Sequence, residues 1–214
     1  MRDMPVFTTE FGAASLTLKE IPYKKEAYIQ LQDSLDPELL LEECVDFCRC
    51  AGAEKIFASG HDFLQKYPVH TTVIRMQCRR NELRDTDAAL FPVQKETLEE
   101  FRCIYNDRMQ SVPNASYMTA RDAEQYLQER GCYFIHCRGD LLGIGIVSGN
   151  EICAVASVMR GSGEDIILAL NQCLAGETVI VETASNNIPA ISLYERLGFV
   201  KISEISKWYE ILDV

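Results

Sequence analysis

Hydrophobic periodicity is clearest in the second half of the chain. "CYFIHC" and "LLGIGIV" are strand-like runs joined by "RGD", which predicts a hairpin with a Gly-Asp turn. "EICAVASVM" predicts a further strand, and "SGEDIILALNQCLAG" an amphipathic helix closed by Gly176. "TVIVETA" is a strand, "NNIPAISLYERLGF" a short helix, and "FVKISEISKWYEIL" one long or two short closing strands. Ahead of them, "KETLEEFRCIYNDRMQ" and "ARDAEQYLQER" are helix-like. The order α-α-β-β-β-α-β-α-β predicts an α/β fold, a mixed sheet with helices on both faces.

The first half carries less chemistry. "SLTLKEIP" and "EAYIQLQ" predict two strands joined by a polar "YKK" turn. In "DPELLLEECVDFCRCAG", Asp36 can cap a helix, Pro37 takes its first position, and Gly52 follows its end. "KIFAS" and "TTVIRMQC" predict strands with a short "HDFLQKY" helix between them. His61 and His70 stand near element starts, in loop or capping roles. The polar stretch "RRNELRDTDAA" is the expected boundary between an N-terminal α/β segment, 1–85, and a C-terminal domain, 86–214. Helix, strand, short helix and strand from residue 37 to 78 echo the element order from 162 to the end. The expectation is that the N-terminal segment is a degenerate half-copy.

Composition narrows the classes. The chain has 214 residues, 47% of them hydrophobic, enough for a sizeable core. A net charge of −11 disfavours binding to a phosphate backbone and tilts the surface toward cations such as amines. No apolar run approaches the ~18 residues of a membrane span. The opening "MRDMPVFTTEFG" lacks the apolar core of a leader peptide. The expectation is a soluble, cytoplasmic protein with neither nucleic-acid nor membrane partners. The 9 cysteines, an odd number, fit free thiols in a reducing compartment. Cys44 and Cys48 lie one helical turn apart, but no second pair follows at zinc-site spacing. They read as small buried residues rather than metal ligands, and no metal is expected.

Two stretches carry chemistry. In "AVASVM-RGSGED-IILAL" an apolar strand runs into a glycine-rich turn that opens a helix. First-turn amides carry partial positive charge, and glycine lets a ligand approach the backbone, so the junction suits a phosphate. Arg160 can add a charge-assisted bond. In "NNIPAISLYERLGF", Asn187 can cap the helix, and Ile188, Ile191, Leu193 and Leu197 form an apolar stripe. Gly198 takes the stop position, with Phe199 packing back beyond it. On spacing alone Tyr194 is a partly buried aromatic of that stripe.

Together, "V-x-S-x-x-RGSG" and, some twenty residues on, "N-x-x-A-x-x-LYERLGF" resemble the GNAT N-acetyltransferase superfamily over about residues 90–214. The hairpin, with Gly143 where a glycine is usual, is similar to that family's second and third strands. The resemblance implies a splayed mixed sheet holding acetyl-CoA as co-substrate, and direct transfer of acetyl to a small-molecule or peptide amine. It implies that Arg160, Gly161, Ser162, Gly163, Glu164 and Asp165 bind the pyrophosphate. Val155, Ala156, Ser157 and Val158 would pair with the pantetheine arm, and Asn187 would lie near it. It implies Tyr194 as the acid that protonates the departing thiolate. Beside it, Glu182 and Glu151 are candidate bases flanking the predicted strands. A phenol near pKa 10 and a thiol near 8.5 make that proton transfer uphill by only about 2 kcal/mol. The N-terminal segment would either shape the acceptor site or mediate a homodimer.

The turn departs from the family pattern. Asp165 stands where Gly or Ala is usual, and Ser162 is neutral where a basic residue is common. "SGED" also reads as a capping box, with Ser162 and Asp165 satisfying the helix start themselves. A carboxylate ~6 Å from a phosphate would cost ~3 kcal/mol at an effective dielectric of about 20, ~100-fold in affinity. Either Asp165 points sideways, or the turn binds CoA weakly or not at all, because Arg160 is its one nearby cation. A catalytically inactive binding or scaffolding module on the same fold is the alternative.

Overall fold

The computed structural model describes residues 6–212, so the first five residues of the opening stretch and residues 213–214 lie outside the described residues. The first elements are β1 (Val6–Thr9), β2 (Gly12–Thr17), α1 (Ile21–Lys24), β3 (Glu26–Ser34) and α2 (Pro37–Cys50). They are followed by β4 (Lys55–Ser59), β5 (Val69–Arg79), β6 (Ala89–Pro92), α3 (Leu98–Met109) and α4 (Ala120–Glu129). The remainder is β7 (Gly131–Cys137), β8 (Asp140–Ser148), β9 (Glu151–Ser157), α5 (Gly163–Asn171), β10 (Thr178–Ala184), α6 (Ile188–Arg196) and β11 (Val200–Glu210). Among the described residues no helix is long and apolar enough to cross a membrane.

The chain forms two compact units. One takes residues up to Val73 and from Glu204 onward; the other takes Ile74–Ser203. The division falls inside β5 and β11 rather than in the polar 80–90 stretch, because each of these strands runs on from one unit into the other.

In the first unit the strand order is β1-β2-β3-β4-β11. β3 and β4 run parallel and stay paired from Glu26↔Lys55 to Gln30↔Ser59, with α2 as the crossover. Ala27, Ile29 and Leu31 alternate toward α2 and meet Leu40, Leu41, Cys44, Val45 and Cys48. The start of α2 follows from its sequence. The Asp36 carboxylate accepts the Glu38 and Leu39 amides, each at 3.2 Å, and Pro37 opens the helix. Burial pushes the Cys44 thiol up to about 12 and the Cys48 thiol to about 11, as for small residues packed in a core. The turn at "YKK" is instead the single-turn helix α1, closed by Lys25 at φ 60. His61 caps a short 3-10 turn through Nδ1, whereas His70 lies within β5, stacked 4.0 Å from Phe57.

In the second unit the order is β5-β10-β9-β8-β7-β6. Helices cover both faces. Ile135, Leu142 and Val147 join Ile166, Leu170 and Tyr194 on the side of α5 and α6. Phe134, Ile144 and Ile146 join Phe101, Tyr105 and Ala123 on the side of α3 and α4. The hairpin turn is Arg138-Gly139, both at positive φ, with Asp140 already in β8. β6, a short edge strand carrying Pro92, has no counterpart in the sequence pattern. α5 is not amphipathic as expected: Ile166 to Leu170 are buried without interruption, and the helix ends at Asn171.

Two glycines of β8 explain how α5 lies so close. A Cβ on Gly145 would sit 2.5 Å from Leu170 Cδ1, and one on Gly143 would sit 2.3 Å from the Ala156 carbonyl oxygen and 2.6 Å from Ile166 Cδ1. Ile166 and Leu170 are one helical turn apart, so the alternate glycines make room for one ridge of the helix. Gly143→Ala is expected to lower stability by about 1–3 kcal/mol. That is roughly 2–4 °C of Tm per kcal/mol for a domain of this size. An unchanged melting curve by circular dichroism would refute this account of the packing.

Candidate functional site

The site begins with an irregularity in β9. Antiparallel pairing with β8 runs Ile146↔Ala154 and then Val147↔Ile152, so Cys153 is an extra residue in β9. A β-bulge bends its strand and resets the alternation of side chains. Ile152 faces the α5 side before the bulge, and Val155 faces it after, while Ala154 and Ala156 turn to the α3 side. Parallel pairing of β9 with β10 is confined to Glu151↔Ile180 and Ile152↔Val181. Beyond the bulge the strands run on to Ser157 and Ala184 with no register pair between them among the described residues. Past Ile152↔Val181 the two parallel strands carry no further register pair among the described residues, and Cys153 and Glu182 are the first residues beyond it. The β9 edge without a β10 partner runs on through Val155–Ser157. Val158 follows this edge, its amide donating to the Leu142 carbonyl at 2.9 Å.

The glycine turn follows directly. Gly161 has φ 88 with open space where a Cβ would stand, a conformation and an exposure that favour glycine. Ser162 is buried, its hydroxyl 2.7 Å from the Met159 carbonyl and 2.9 Å from that of Leu142. It therefore does not cap α5, and the expected capping box is absent. Its side chain ties the turn to the sheet, leaving only its backbone to face a ligand. Ile166 donates to Ser162 O at 3.0 Å; the amides of Gly163, Glu164 and Asp165 before it are the first-turn donors that a helix leaves unpaired. Arg160 is exposed beside them.

Both acids of the turn are engaged by residues outside it. Arg84 donates to Glu164 Oε1 from Nη2 at 2.6 Å and from Nε at 3.2 Å. Thr86 donates its hydroxyl to Asp165 Oδ1 at 3.2 Å. Asp165 is thus drawn sideways, toward the 80–88 segment.

α6 closes this end. A Cβ on Gly163 would lie 2.8 Å from Leu193 Cδ2, so α6 packs against the start of α5. Asn187 does not cap α6 with its side chain; its Nδ2 donates to Thr183 Oγ1 of β10 at 3.4 Å. Tyr194 is 8% exposed, in the same apolar cluster as Val155, its ring 5.5 Å from that of Phe199. Burial pushes its phenol up to about 12. Against a thiol at about 8.5, proton donation is then uphill by roughly 5 kcal/mol.

Glu182 is held by Arg75 of β5, which donates from Nε at 2.9 Å and Nη2 at 2.5 Å, both to Oε1. Glu151, half-buried, has its carboxyl raised by burial first and by the Glu182 charge second, with Arg75 and Arg130 opposing. Arg75, Arg84, Thr86 and the bulged Cys153 are the site residues that the sequence reading missed. Only Arg75 left a trace, as a charge between Ile74 and Met76 in an alternating strand. Among the described residues no group of three or more His, Cys, Asp or Glu side chains is placed to hold a metal ion.

No family model and no curated protein matches the chain. Solved structures do. A conserved protein of unknown function from Staphylococcus epidermidis matches with TM-score 0.61 at 13% identity, over 97% of this chain and 93% of that one. A provisionally assigned acetyltransferase from Pyrococcus horikoshii matches with TM-score 0.60 at 14% identity, over 95% of this chain and 70% of its own. A tandem GNAT protein from the clavulanic acid biosynthesis pathway matches with TM-score 0.53 at 14% identity, over 94% and 78%. The likeness establishes a GNAT-type fold.

The buried phenol has a signature at high pH. Tyr194 keeps its proton to about 12 in the folded state against 10.0 in the open chain. The stability this represents is complete below pH 10 and is lost as pH rises toward 12, on the order of 3 kcal/mol. Tyr194→Phe should flatten that part of the alkaline unfolding curve. If wild type and variant lose stability in parallel over this range, the phenol is not desolvated.

Proposed function

We propose that the chain is an acetyl-CoA-dependent N-acetyltransferase acting on a small-molecule or peptide amine by direct transfer. The observation that carries this reading is the parting of β9 and β10 at the Cys153 bulge, open beside a glycine turn with free helix-start amides. The unpaired edge at Val155–Ser157 suits the amides of a pantetheine arm. The Gly161–Asp165 backbone and Arg160 suit its pyrophosphate. With the thioester in the cleft, the amine nitrogen attacks the carbonyl carbon, the C–S bond breaks, and the thiolate takes the Tyr194 proton. The attacking nitrogen gives its proton to Glu182 or, through water, to Glu151. Asn187 supports the β10 wall through Thr183.

Unit one is read as a degenerate copy of unit two. Apart from the single-turn α1 between β2 and β3, β1-β2-β3-α2-β4 repeats the order of β7-β8-β9-α5-β10, with a parallel pair around the helix in each. In the first unit the parallel pair stays closed over five residue pairs, and Asp36 occupies the helix start. Among its described residues that unit shows neither parted parallel strands nor an uncapped α2 start.

Calorimetric titration with acetyl-CoA is expected to show one saturable site per chain, and Arg160→Glu to weaken it severely. Absence of binding at millimolar ligand would overturn the proposal. Tyr194→Phe is expected to lower kcat by roughly 10²-fold with KM little changed. The rival reading, an inactive binding module, draws on the depth of Tyr194 and on the Arg75–Glu182 ion pair. Thiol release from acetyl-CoA over a panel of amines separates the two. Turnover that collapses in Tyr194→Phe excludes the module, and binding without turnover excludes the enzyme.

A further inference from the structure

The acidic turn poses an electrostatic problem that the fold answers from outside the turn. Glu164 and Asp165 lie in the first turn of α5, where their charges would repel a diphosphate. The segment after β5 runs along α5. Arg80 ties its start near the far end of that helix, its amide donating to Glu177 O at 2.8 Å and its Nη2 to Gln172 O at 3.2 Å. Leu83 and Ala88 are buried in the α5-side core, 8% and 4% exposed. Arg84 and Thr86 therefore project from a segment anchored on both sides. The Thr86 hydroxyl is itself oriented, accepting the Ala88 amide at 3.2 Å while donating to Asp165.

We propose that Arg84 is the counter-ion that makes this turn fit for a diphosphate, cancelling the charge of Glu164 while Thr86 holds Asp165 aside. The inference rests on the CoA-binding reading above. Two N–H groups of the Arg84 guanidinium are spent on Glu164 Oε1, and they fix the carboxylate in place. Ser162, at the position that is neutral here, has its side chain turned inward, so the turn carries no second cation of its own beyond Arg160. Arg84 acts through Glu164 and is a positioning residue, with no part in the chemical step. The pair is exposed, with side chains 69% and 32% accessible, so its effect on stability is small and its effect on an incoming anion is the measurable one.

The test is a double-mutant cycle on CoA affinity by calorimetry with wild type, Arg84→Gln, Glu164→Gln and the double variant. Arg84→Gln is expected to weaken CoA binding by about 10–100-fold with Tm unchanged. Glu164→Gln alone, which frees the guanidinium beside the turn, is expected to bind CoA at least as tightly as wild type, and in the double variant it should restore the affinity lost in Arg84→Gln. Rescue by removal of the acid is a readout that a merely structural arginine does not move. Wild type that binds CoA while Arg84→Gln binds it equally well overturns this inference and leaves the proposed function standing. A loss in Arg84→Gln that Glu164→Gln fails to restore overturns it as well. Wild type that binds no CoA removes the proposed function, and the inference with it.

Discussion

One extra residue in β9 governs the second unit. Two parallel strands in register have no reason to separate, since each unpaired backbone group away from water costs free energy. The bulge at Cys153 supplies the reason. It turns β9 away from β10 after Ile152↔Val181, and it swaps which side chains face which helix layer. A second bulge, at Leu142 of β8, is its complement: β7 pairs Ile135↔Gly143 and then His136↔Leu141, leaving Leu142 over. The freed Leu142 carbonyl takes the Val158 and Met159 amides and the Ser162 hydroxyl. One irregularity stands where β9 and β10 cease to pair, and the other fastens the turn that follows β9.

Features encoded locally were legible in the sequence. The Asp36-Pro37 helix start, the β7–β8 hairpin, the glycine turn and the α6 helix each depend on residues within a few positions. Features that depend on distant partners were not. Arg84 and Glu164 are 80 positions apart, Arg75 and Glu182 107, and neither pair has a spacing to read. Bulges have no composition of their own: "EICAVAS" looks the same with or without one. Ser162 was misread for a related reason. Its local pattern is that of a cap, but the Leu142 carbonyl, 20 positions back, competes for the hydroxyl and wins. Glycines marked a turn and a close approach without saying what approaches. At Gly143 and Gly145 it is the Ile166–Leu170 ridge.

The two units serve as each other's control. Both place a helix between parallel strands, yet only one combines parted strands with an uncapped helix start. In the first unit Asp36 fills the site that in the second is left as bare amides, and β3 and β4 show no register break. The difference between parted and closed parallel strands on this fold thus lies in a few backbone choices: a bulge, a glycine turn, and the side chain that precedes the helix.

β5 and β11 each contribute residues to both units. Cutting the chain at the polar 80–90 stretch, the natural place to define a fragment, would remove β5 from beside β10 and β11 from beside β4. Each fragment would keep its helices and most of its core, and each would gain a bare strand edge ready to pair with a neighbour. The halves are therefore not separable parts: a shortened C-terminal piece would be expected to aggregate, and activity missing from it would say nothing about the cleft.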